Sequence, residues 1–317
     1  MNILLWHVHG SWTTSFVHGK HRYLVPVTPD RGPYGLGRAR TYRWPPSAVE
    51  IPPEALAGEE IDVVIYQRPE ELDLATRWLG GRRVPGVYVE HNTPKGDVPF
   101  TRHPMADRDD LLVVHVTHFN ELFWDTGATR TAVVEHGIVP PRASYTGELP
   151  RIGVATNEPI RRGRVTGTDL MPRFASVVPL DVYGMGTDGL AAHLGVPVGA
   201  YDLPHDAMHA ELARRRAYLH VCRWTSLGLS LIEAMAIGLP VIVLASTEAI
   251  AAVPPGAGVL STRVDTLVDA AQWLVDDPAA ARRMGDAARA AAAARYGLDR
   301  FLGDWDRILE GERCGSR

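Results

Sequence analysis

A short loop with one glycine that leads into a helix is the part of this sequence best suited to bind a charged ligand. The stretch from Arg223 to Val243 predicts a loop containing Gly228, then a helix, a Gly-Pro stop and an apolar strand. Glycine lets the backbone approach a ligand closely. The first N–H groups of a helix are unpaired and lie at the positive end of its dipole. This arrangement favours a phosphate or diphosphate ligand.

Glu233 adds a carboxylate about one turn into the predicted helix. Because helical side chains lean toward the N-terminus, this carboxylate reaches the same ligand. It would repel phosphate but would accept hydrogen bonds from the hydroxyls of a ribose or another sugar, so the pattern indicates a nucleotide-sugar site. The same residues also match a capping box, Ser230-x-x-Glu233, in which both side chains only satisfy helix-end donors.

The segment resembles the C-terminal signature of the retaining GT-B glycosyltransferases of family 4, also called glycosyl transferases group 1. The residues in register with that signature are Gly228-Leu229, Leu231, Glu233-Ala234-Met235-Ala236, Gly238 and Pro240-Val241. The first Glu of the family's E-x7-E motif falls on Thr225, and the next Gly falls on Ser226. In the family that Glu usually touches the donor sugar, whereas Thr225 and Ser226 would offer neutral hydrogen bonds.

The resemblance implies two Rossmann-like α/β domains facing a central cleft, with the acceptor held by the N-terminal domain and the donor by the C-terminal one. It implies transfer from a nucleoside-diphosphate sugar to a hydroxyl-type acceptor, with retention, no required metal and no cofactor beyond the donor. By the same resemblance, the amides of Gly228 and Leu229 bind the diphosphate and Glu233 binds the ribose. His91 supports the donor sugar, and Gly10 lies in the first loop, near donor phosphate and acceptor.

An arginine cluster follows the first strand of the second domain, at Arg161, Arg162 and Arg164. Guanidinium groups neutralise the charge that develops on a departing diphosphate. The family places an Arg and a Lys in this loop; here the loop has no Lys, and the sequence does not decide which arginine takes the role. An arginine run is also typical of a solvated face.

Three further motifs imitate other kinds of site. Gly184–Gly189 matches the G-x-G-x-x-G of dinucleotide-binding folds, His7 and His9 could pair on a metal, and Asp304 and Asp306 match a metal-binding D-x-D. Their positions in the chain argue against each function, so we expect no metal site. Two other functions stay open: a catalytically silent GT-B partner or binding protein, and a GT-B epimerase that acts on the nucleotide sugar alone.

Composition restricts the partners. The chain has 317 residues, a formal charge of −4 and two cysteines. We therefore expect two domains, no nucleic-acid partner and a reducing cytoplasmic location. The first residues run directly into a predicted strand, and we expect neither a signal peptide nor a transmembrane segment. The preference for arginine over lysine suggests a GC-rich bacterium, with an acceptor from natural-product or cell-envelope assembly.

Alternating apolar runs and amphipathic stretches predict parallel sheets covered by helices. The expected domains are 1–143 and 144–297, joined by a linker at Pro140–Pro150, with a terminal helical segment at 298–317 that either returns to the first domain or caps its own. Acceptor loops are expected within His18–Arg43 and Thr93–His103. The predicted strands are Ile3–Val8, Asp62–Tyr66, Gly86–Glu90, Leu111–Val116, Thr131–Val134, Arg151–Ala155, Ser176–Tyr183, Ala217–Val221, Pro240–Ala245 and Gly258–Leu260. The predicted helices are Pro69–Leu79, Phe119–Thr126, Asp206–Arg215, Leu229–Ile237, Val264–Val275, Ala279–Tyr296 and Asp299–Gly311.

Overall fold

The computed structural model describes residues 1–315, which divide into two α/β units. The N-terminal unit is Met1–Val139 together with the helix that begins at Leu298, and the C-terminal unit is Pro140–Gly297. The last two residues of the expected 298–317 segment, Ser316 and Arg317, lie outside the described residues. The predicted class, two parallel-sheet α/β domains, is confirmed. Within the described residues, none of the helices has the length and apolar content needed to cross a membrane.

The N-terminal unit contains a seven-stranded parallel sheet in the order β3-β2-β1-β4-β5-β6-β7. Because both faces are covered, its inner strands read as continuous apolar runs. The strands are β1 (Asn2–Leu5), β2 (Arg22–Pro26), β3 (Ala48–Ile51), β4 (Val63–Tyr66), β5 (Gly86–Glu90), β6 (Leu111–His115) and β7 (Arg130–Val133). Helices α1 (Gly10–Phe16), α2 (Glu70–Trp78) and α3 (His118–Phe123) connect them.

The C-terminal unit contains a six-stranded parallel sheet in the order β10-β9-β8-β11-β12-β13. The strands are β8 (Leu149–Ala155), β9 (Leu180–Tyr183), β10 (Gly199–Tyr201), β11 (Arg215–His220), β12 (Val241–Leu244) and β13 (Gly258–Ser261). The helices are α4 (Pro159–Arg162), α5 (Met171–Ala175), α6 (Leu190–Leu194), α7 (His205–Arg214), α8 (Leu229–Ile237), α9 (Ala249–Ala252), α10 (Val264–Asp276) and α11 (Pro278–Tyr296). The core includes Phe174, Leu219, Ile242 and Leu267, all fully buried. The C-terminal ends of these strands form one edge, where ligands bind in open α/β sheets.

The terminal helix α12 (Leu298–Gly315) packs in the N-terminal unit. Phe301 and Trp305 are buried against Trp12, with ring centroids 6.3 and 5.6 Å from it. Arg300 donates to the carbonyls of Glu135 and His136. Burying each large side chain contributes roughly 1.5–3 kcal/mol, so the apolar face of α12 fixes this helix to the first unit.

Several predicted elements need correction. The first strand ends at Leu5 and not at Val8, and the stretch predicted as Ser176–Tyr183 is a strand only from Leu180, directly after Pro179. The sequence pattern missed the strands β2, β3 and β10, the helix α1 and the short helices α4, α5, α6 and α9. Strand β2 lies inside His18–Arg43, which was expected as an acceptor loop, and its residues from Tyr23 onward are buried. Its apolar run is short and is surrounded by Pro, Gly and charged residues, so it carries a weak strand signal.

Candidate functional site

Helix α8 begins at the predicted phosphate-binding loop. Gly228 is its N-cap, and no side chain of the described residues caps it. A Cβ on Gly228 would lie 2.6 Å from Cε1 of His220, so the glycine is required by the approach of that ring. Leu229, the first helical residue, is partly exposed. The free N–H groups at this helix start can therefore bind an anion.

Ser230 does not cap the helix, and the capping-box interpretation is wrong. Ser230 is the second helical residue, and its hydroxyl lies toward the sheet. Tyr218 Oη donates to Ser230 Oγ at 2.9 Å, and Ser230 Oγ donates to the carbonyl of Ala155 at 3.3 Å. The Glu233 carboxylate instead bonds side chains of a different helix.

Glu233 is 6% exposed, and two histidines of α7 contact its carboxylate. His205 Nε2 lies 3.3 Å from Oε1, and His209 Nε2 lies 3.3 Å from Oε2. Burial raises the pKa of Glu233, but the two imidazoles outweigh burial and hold this pKa well below its usual range. Burial also lowers the pKa of His205, and the contact with Glu233 raises it above the usual value. The carboxylate is therefore anionic at neutral pH.

His205 and His209 were not among the predicted site residues. Their spacing of four residues on α7 places both rings on one helix face, a signal that the sequence does contain. Together with Glu233 they form a group whose potential ligand atoms all lie within 4.8 Å of one another. Two imidazoles and a carboxylate are a ligand set that suits Zn²⁺. The arrangement has the chemistry to bind hydroxyls or a divalent cation.

Thr225 and Ser226 lie in the loop that leads into α8. Thr225 is half-buried, and Ser226 is 3% exposed. The carbonyl of Ser226 accepts a hydrogen bond from the backbone N–H of Glu248 at 3.4 Å, which helps to hold the loop against α9. Their predicted contact with the donor sugar stays a prediction.

The three candidate arginines differ in whether an acidic side chain pairs with them. Arg161 pairs with Glu158 at 3.2 Å, and Arg164 pairs with Asp169 at 3.1 Å. The half-buried guanidinium of Arg162 makes no hydrogen bond or ion pair with any residue that the structure describes. Burial raises the pKa of the Cys222 thiol, and the nearby charge of Arg162 opposes this rise. Because Cys222 follows β11, Arg162 lies at the same sheet edge as the loop before α8.

His91 directly follows β5 in the N-terminal unit. Its ring lies 3.9 Å from that of His9 and 4.9 Å from that of Trp12, measured between centroids. His91 Nε2 and His136 Nδ1 are buried with no hydrogen-bond partner among residues 1–315. Burial lowers the pKa of His9 to about 4 and that of His136 to about 3, and it lowers the pKa of His91 well below its usual value. These rings are therefore uncharged at neutral pH.

A hydrogen-bonded frame fixes the segment that carries His91. The backbone N–H of Asn92 donates to Glu90 Oε1 at 2.6 Å, and His103 Nε2 lies 2.9 Å from Glu90 Oε2. Since His103 Nδ1 accepts from the N–H of Met105 at 3.0 Å, Nε2 carries the proton and donates to Glu90. His103 thus holds one end of the irregular segment Thr93–His103 against the strand end.

Gly10 is not in a loop, contrary to the prediction. It is the first residue of α1, because the helix begins directly after His9. A Cβ on Gly10 would lie 2.8 Å from the ring of Tyr42, and Trp12 is completely buried. The backbone of Gly10 therefore lies close to Tyr42, and its predicted position near donor phosphate and acceptor stays a prediction.

The three motifs that resemble dinucleotide or metal sites make structural contacts or form a turn. His7 packs against Trp44 while His9 packs against His91, because both lie beyond the end of β1, where strand alternation no longer applies. The glycines at 184–189 form a turn before α6, a helix of only five residues. Asp304 and Asp306 form ion pairs with basic side chains of the N-terminal unit.

Comparison with known proteins agrees with this geometry. Residues 200–291 match the protein family described as "Glycosyl transferases group 1". The matched segment contains α7, α8, Glu233 and both histidines that contact it. No curated protein sequence matches the chain.

Solved structures resemble the chain over nearly its whole length. Sucrose-phosphate synthase from Thermosynechococcus elongatus has 15% identity and a TM-score of 0.72, with 98% of each chain covered. HepE from Anabaena in complex with UDP-glucose has 14% identity and a TM-score of 0.73, covering 98% of this chain and 100% of that one. A glycosyltransferase from Rickettsia africae has 11% identity and a TM-score of 0.72, with 98% of each chain covered. The chain thus has the GT-B fold, and its residues 200–291 match the family described as glycosyl transferases group 1, in agreement with the predicted enzyme class.

Proposed function

We propose that this enzyme transfers a glycosyl group from a nucleoside-diphosphate sugar to a hydroxyl-type acceptor. The observation that carries the proposal is the anionic, buried carboxylate of Glu233 on a helix whose N-terminus is capped by no side chain of the described residues. The helix start is suited to a diphosphate, and the carboxylate is suited to the hydroxyls of a ribose. The glycosyl transferases group 1 match over the same residues supports this assignment.

In this proposal the amides of Gly228 and Leu229 bind the diphosphate and Arg162 neutralises it as it leaves. Arg161 and Arg164 already have acidic partners, whereas Arg162 has none among the described residues. The bond between the sugar C1 and the phosphate oxygen breaks, and a bond from C1 to the acceptor oxygen forms. The acceptor proton passes to the departing diphosphate. We propose that the transfer retains configuration and requires no metal, because cationic and N–H groups stabilise the leaving group.

We also propose that His91 contacts a hydroxyl of the donor sugar. Its imidazole is neutral and its Nε2 has no partner within the described chain, so one hydrogen bond is available. Thr225 and Ser226 would supply neutral hydrogen bonds to the same sugar. The neutral Thr225 also favours a second candidate, a GT-B protein that binds the nucleotide sugar without turnover.

Turnover distinguishes these functions. Sugar donors built on UDP, GDP, ADP, TDP and CDP should be incubated with the enzyme and a panel of small alcohols and saccharides, with and without EDTA. We expect one donor to be consumed, with equal rates in EDTA and with a glycoside and free diphosphate as products. Donor binding without consumption would identify the silent protein. Conversion of the sugar without any acceptor would identify an epimerase.

A further inference from the structure

Two histidines enclose the carboxylate that the proposed function assigns to the ribose. The side chain of His209 is 4% exposed, that of Glu233 is 8% exposed and that of His205 is 23% exposed. Each carboxylate oxygen contacts a different imidazole at 3.3 Å, and the two rings lie 4.0 Å apart.

We propose that His205 and His209 are positioning residues for donor recognition: they hold Glu233 in one orientation, as an anion, so that it accepts the 2′ and 3′ hydroxyls of a ribose. This inference rests on the proposed function and names the part of the donor that the triad of His205, His209 and Glu233 selects. A ribonucleotide donor is therefore preferred over its 2′-deoxy counterpart.

The number of acceptor positions supports this assignment. An ionised carboxylate has about four positions at which it accepts hydrogen bonds. The two imidazoles occupy one position on each oxygen, which leaves about two, the number that a vicinal diol requires. An anionic acceptor also makes hydrogen bonds roughly twice as strong as a neutral one.

Burial explains why the histidines are needed. A carboxylate that is buried alone is neutralised by protonation, and a protonated Glu233 would lose acceptor capacity. The two imidazole contacts keep the charge and restrain the side-chain torsions. Asp206, on the same helix as His205, adds a further negative charge that favours the protonated ring.

A double-mutant cycle between His209 and Glu233 tests the inference. The affinity of the nucleoside diphosphate that binds the wild type best is measured by calorimetry in EDTA for His209→Ala, Glu233→Gln and the double variant. We expect His209→Ala to weaken binding roughly tenfold to a hundredfold. In the Glu233→Gln background the same change should weaken binding less than about twofold, because its effect passes through the carboxylate.

Further variants separate positioning from a structural role. His209→Gln keeps an N–H donor and should recover most of the affinity. His205→Ala changes a partly exposed residue at the start of α7, so it should fold even if His209→Ala does not, and it should show the same coupling to Glu233. His193→Ala, in the exposed part of α6, is the matched control and should bind like the wild type. The ratio of ribonucleotide to 2′-deoxyribonucleotide affinity should fall in the triad variants and stay unchanged in the control.

Three results would overturn the inference. The first is additive effects of His209→Ala and Glu233→Gln. The second is a lowered melting temperature with unchanged affinity and unchanged 2′-deoxy discrimination. The third is nucleotide binding that EDTA abolishes and Zn²⁺ restores, because the triad would then be a metal site. If the wild type binds no nucleoside diphosphate, the proposed function itself fails; additivity in a wild type that binds well refutes only the positioning role.

Discussion

In the N-terminal unit the rings of His9 and His91 are half-buried and that of His136 is buried, with no carboxylate beside them in the described chain. In the C-terminal unit His205 and His209 share the carboxylate of Glu233. Burial lowers the pKa of each histidine in the first group. In the second group the contact with Glu233 overcomes burial and raises the pKa of His205. The same residue type therefore gives neutral rings in the first group and a charged network in the second.

This difference indicates what each region can recognise. Neutral imidazoles with unpaired ring nitrogens exchange single hydrogen bonds with uncharged hydroxyls. A carboxylate fixed by two imidazoles offers a charged acceptor of defined direction. A sugar and a nucleotide ribose are the corresponding ligands in the proposed function.

The largest expected effect is acid unfolding of the N-terminal unit. Each lowered folded-state pKa means that the unfolded chain binds more protons below pH 6.5, so stability falls as the pH drops from there toward the folded-state values. At pH 5 the neutral rings of His9 and His136 each cost about 2 kcal/mol, and the two together are a large fraction of the stability of a typical domain. Tryptophan fluorescence reports this event, because six of the eight tryptophans lie in the N-terminal unit. A signal that stays native down to pH 4 would contradict the account.

In the C-terminal unit, Arg162→Ala should lower kcat by about a hundredfold. Losing one group that stabilises developing negative charge typically costs this much. Arg164→Ala is the matched control: its guanidinium already pairs with Asp169, and we expect less than about a threefold loss on the scale of surface ion pairs. Steady-state rates with the donor in saturation provide the measurement. Equal losses in the two variants would refute the choice of Arg162.

Two histidine substitutions test whether uncharged histidines destabilise the N-terminal unit. Both ring nitrogens of His115 are buried without partners among residues 1–315, and its pKa is lowered to about 3. His115→Leu should raise the unfolding free energy by about 1 kcal/mol at pH 7, and by more at pH 5, because an unsatisfied polar group is removed. His103→Leu should destabilise by about 1–3 kcal/mol, since it leaves Glu90 Oε2 without its donor. Urea titrations at both pH values measure the two effects, and destabilisation by His115→Leu contradicts the assignment.

The smallest effect concerns the pH dependence of the triad. The lowered pKa of Glu233 contributes stability that is present above its unfolded value and is lost as the pH falls toward the folded value. The raised pKa of His205 contributes stability that is present below about 6.5 and is lost as the pH rises through the folded value. Glu233→Gln should therefore cost more unfolding free energy at pH 5.5 than at pH 9. Thermal melts at the two pH values provide the test, and a pH-independent cost would argue against the ion pair.

Part of this picture was predictable from the sequence. The helix Leu229–Ile237 and the strand Gly86–Glu90 have the predicted bounds, because their glycine and proline boundaries and apolar runs are local signals. Strand β2 was missed because its apolar run is short and gives a weak local signal. Helix α1 was missed because Trp12 and Phe16 pack on the distant Trp305. The two histidines around Glu233 were missed for the same reason: α7 and α8 meet only in the folded chain. The choice among the arginines depended on which side chains pair with neighbouring acidic residues, and this needs the local conformation of the loop.

The most direct test of the central claim is calorimetric binding of UDP, GDP, ADP, TDP and CDP to the wild type, to Glu233→Gln and to Glu148→Gln, all in EDTA. Glu148 is an exposed surface carboxylate that pairs with Arg214, so its variant controls for the loss of one charge. We predict that one diphosphate binds the wild type and Glu148→Gln equally and that Glu233→Gln loses at least about tenfold in affinity. Equal affinity for wild type and Glu233→Gln, or no binding across the panel, would contradict a nucleotide-sugar site at Glu233.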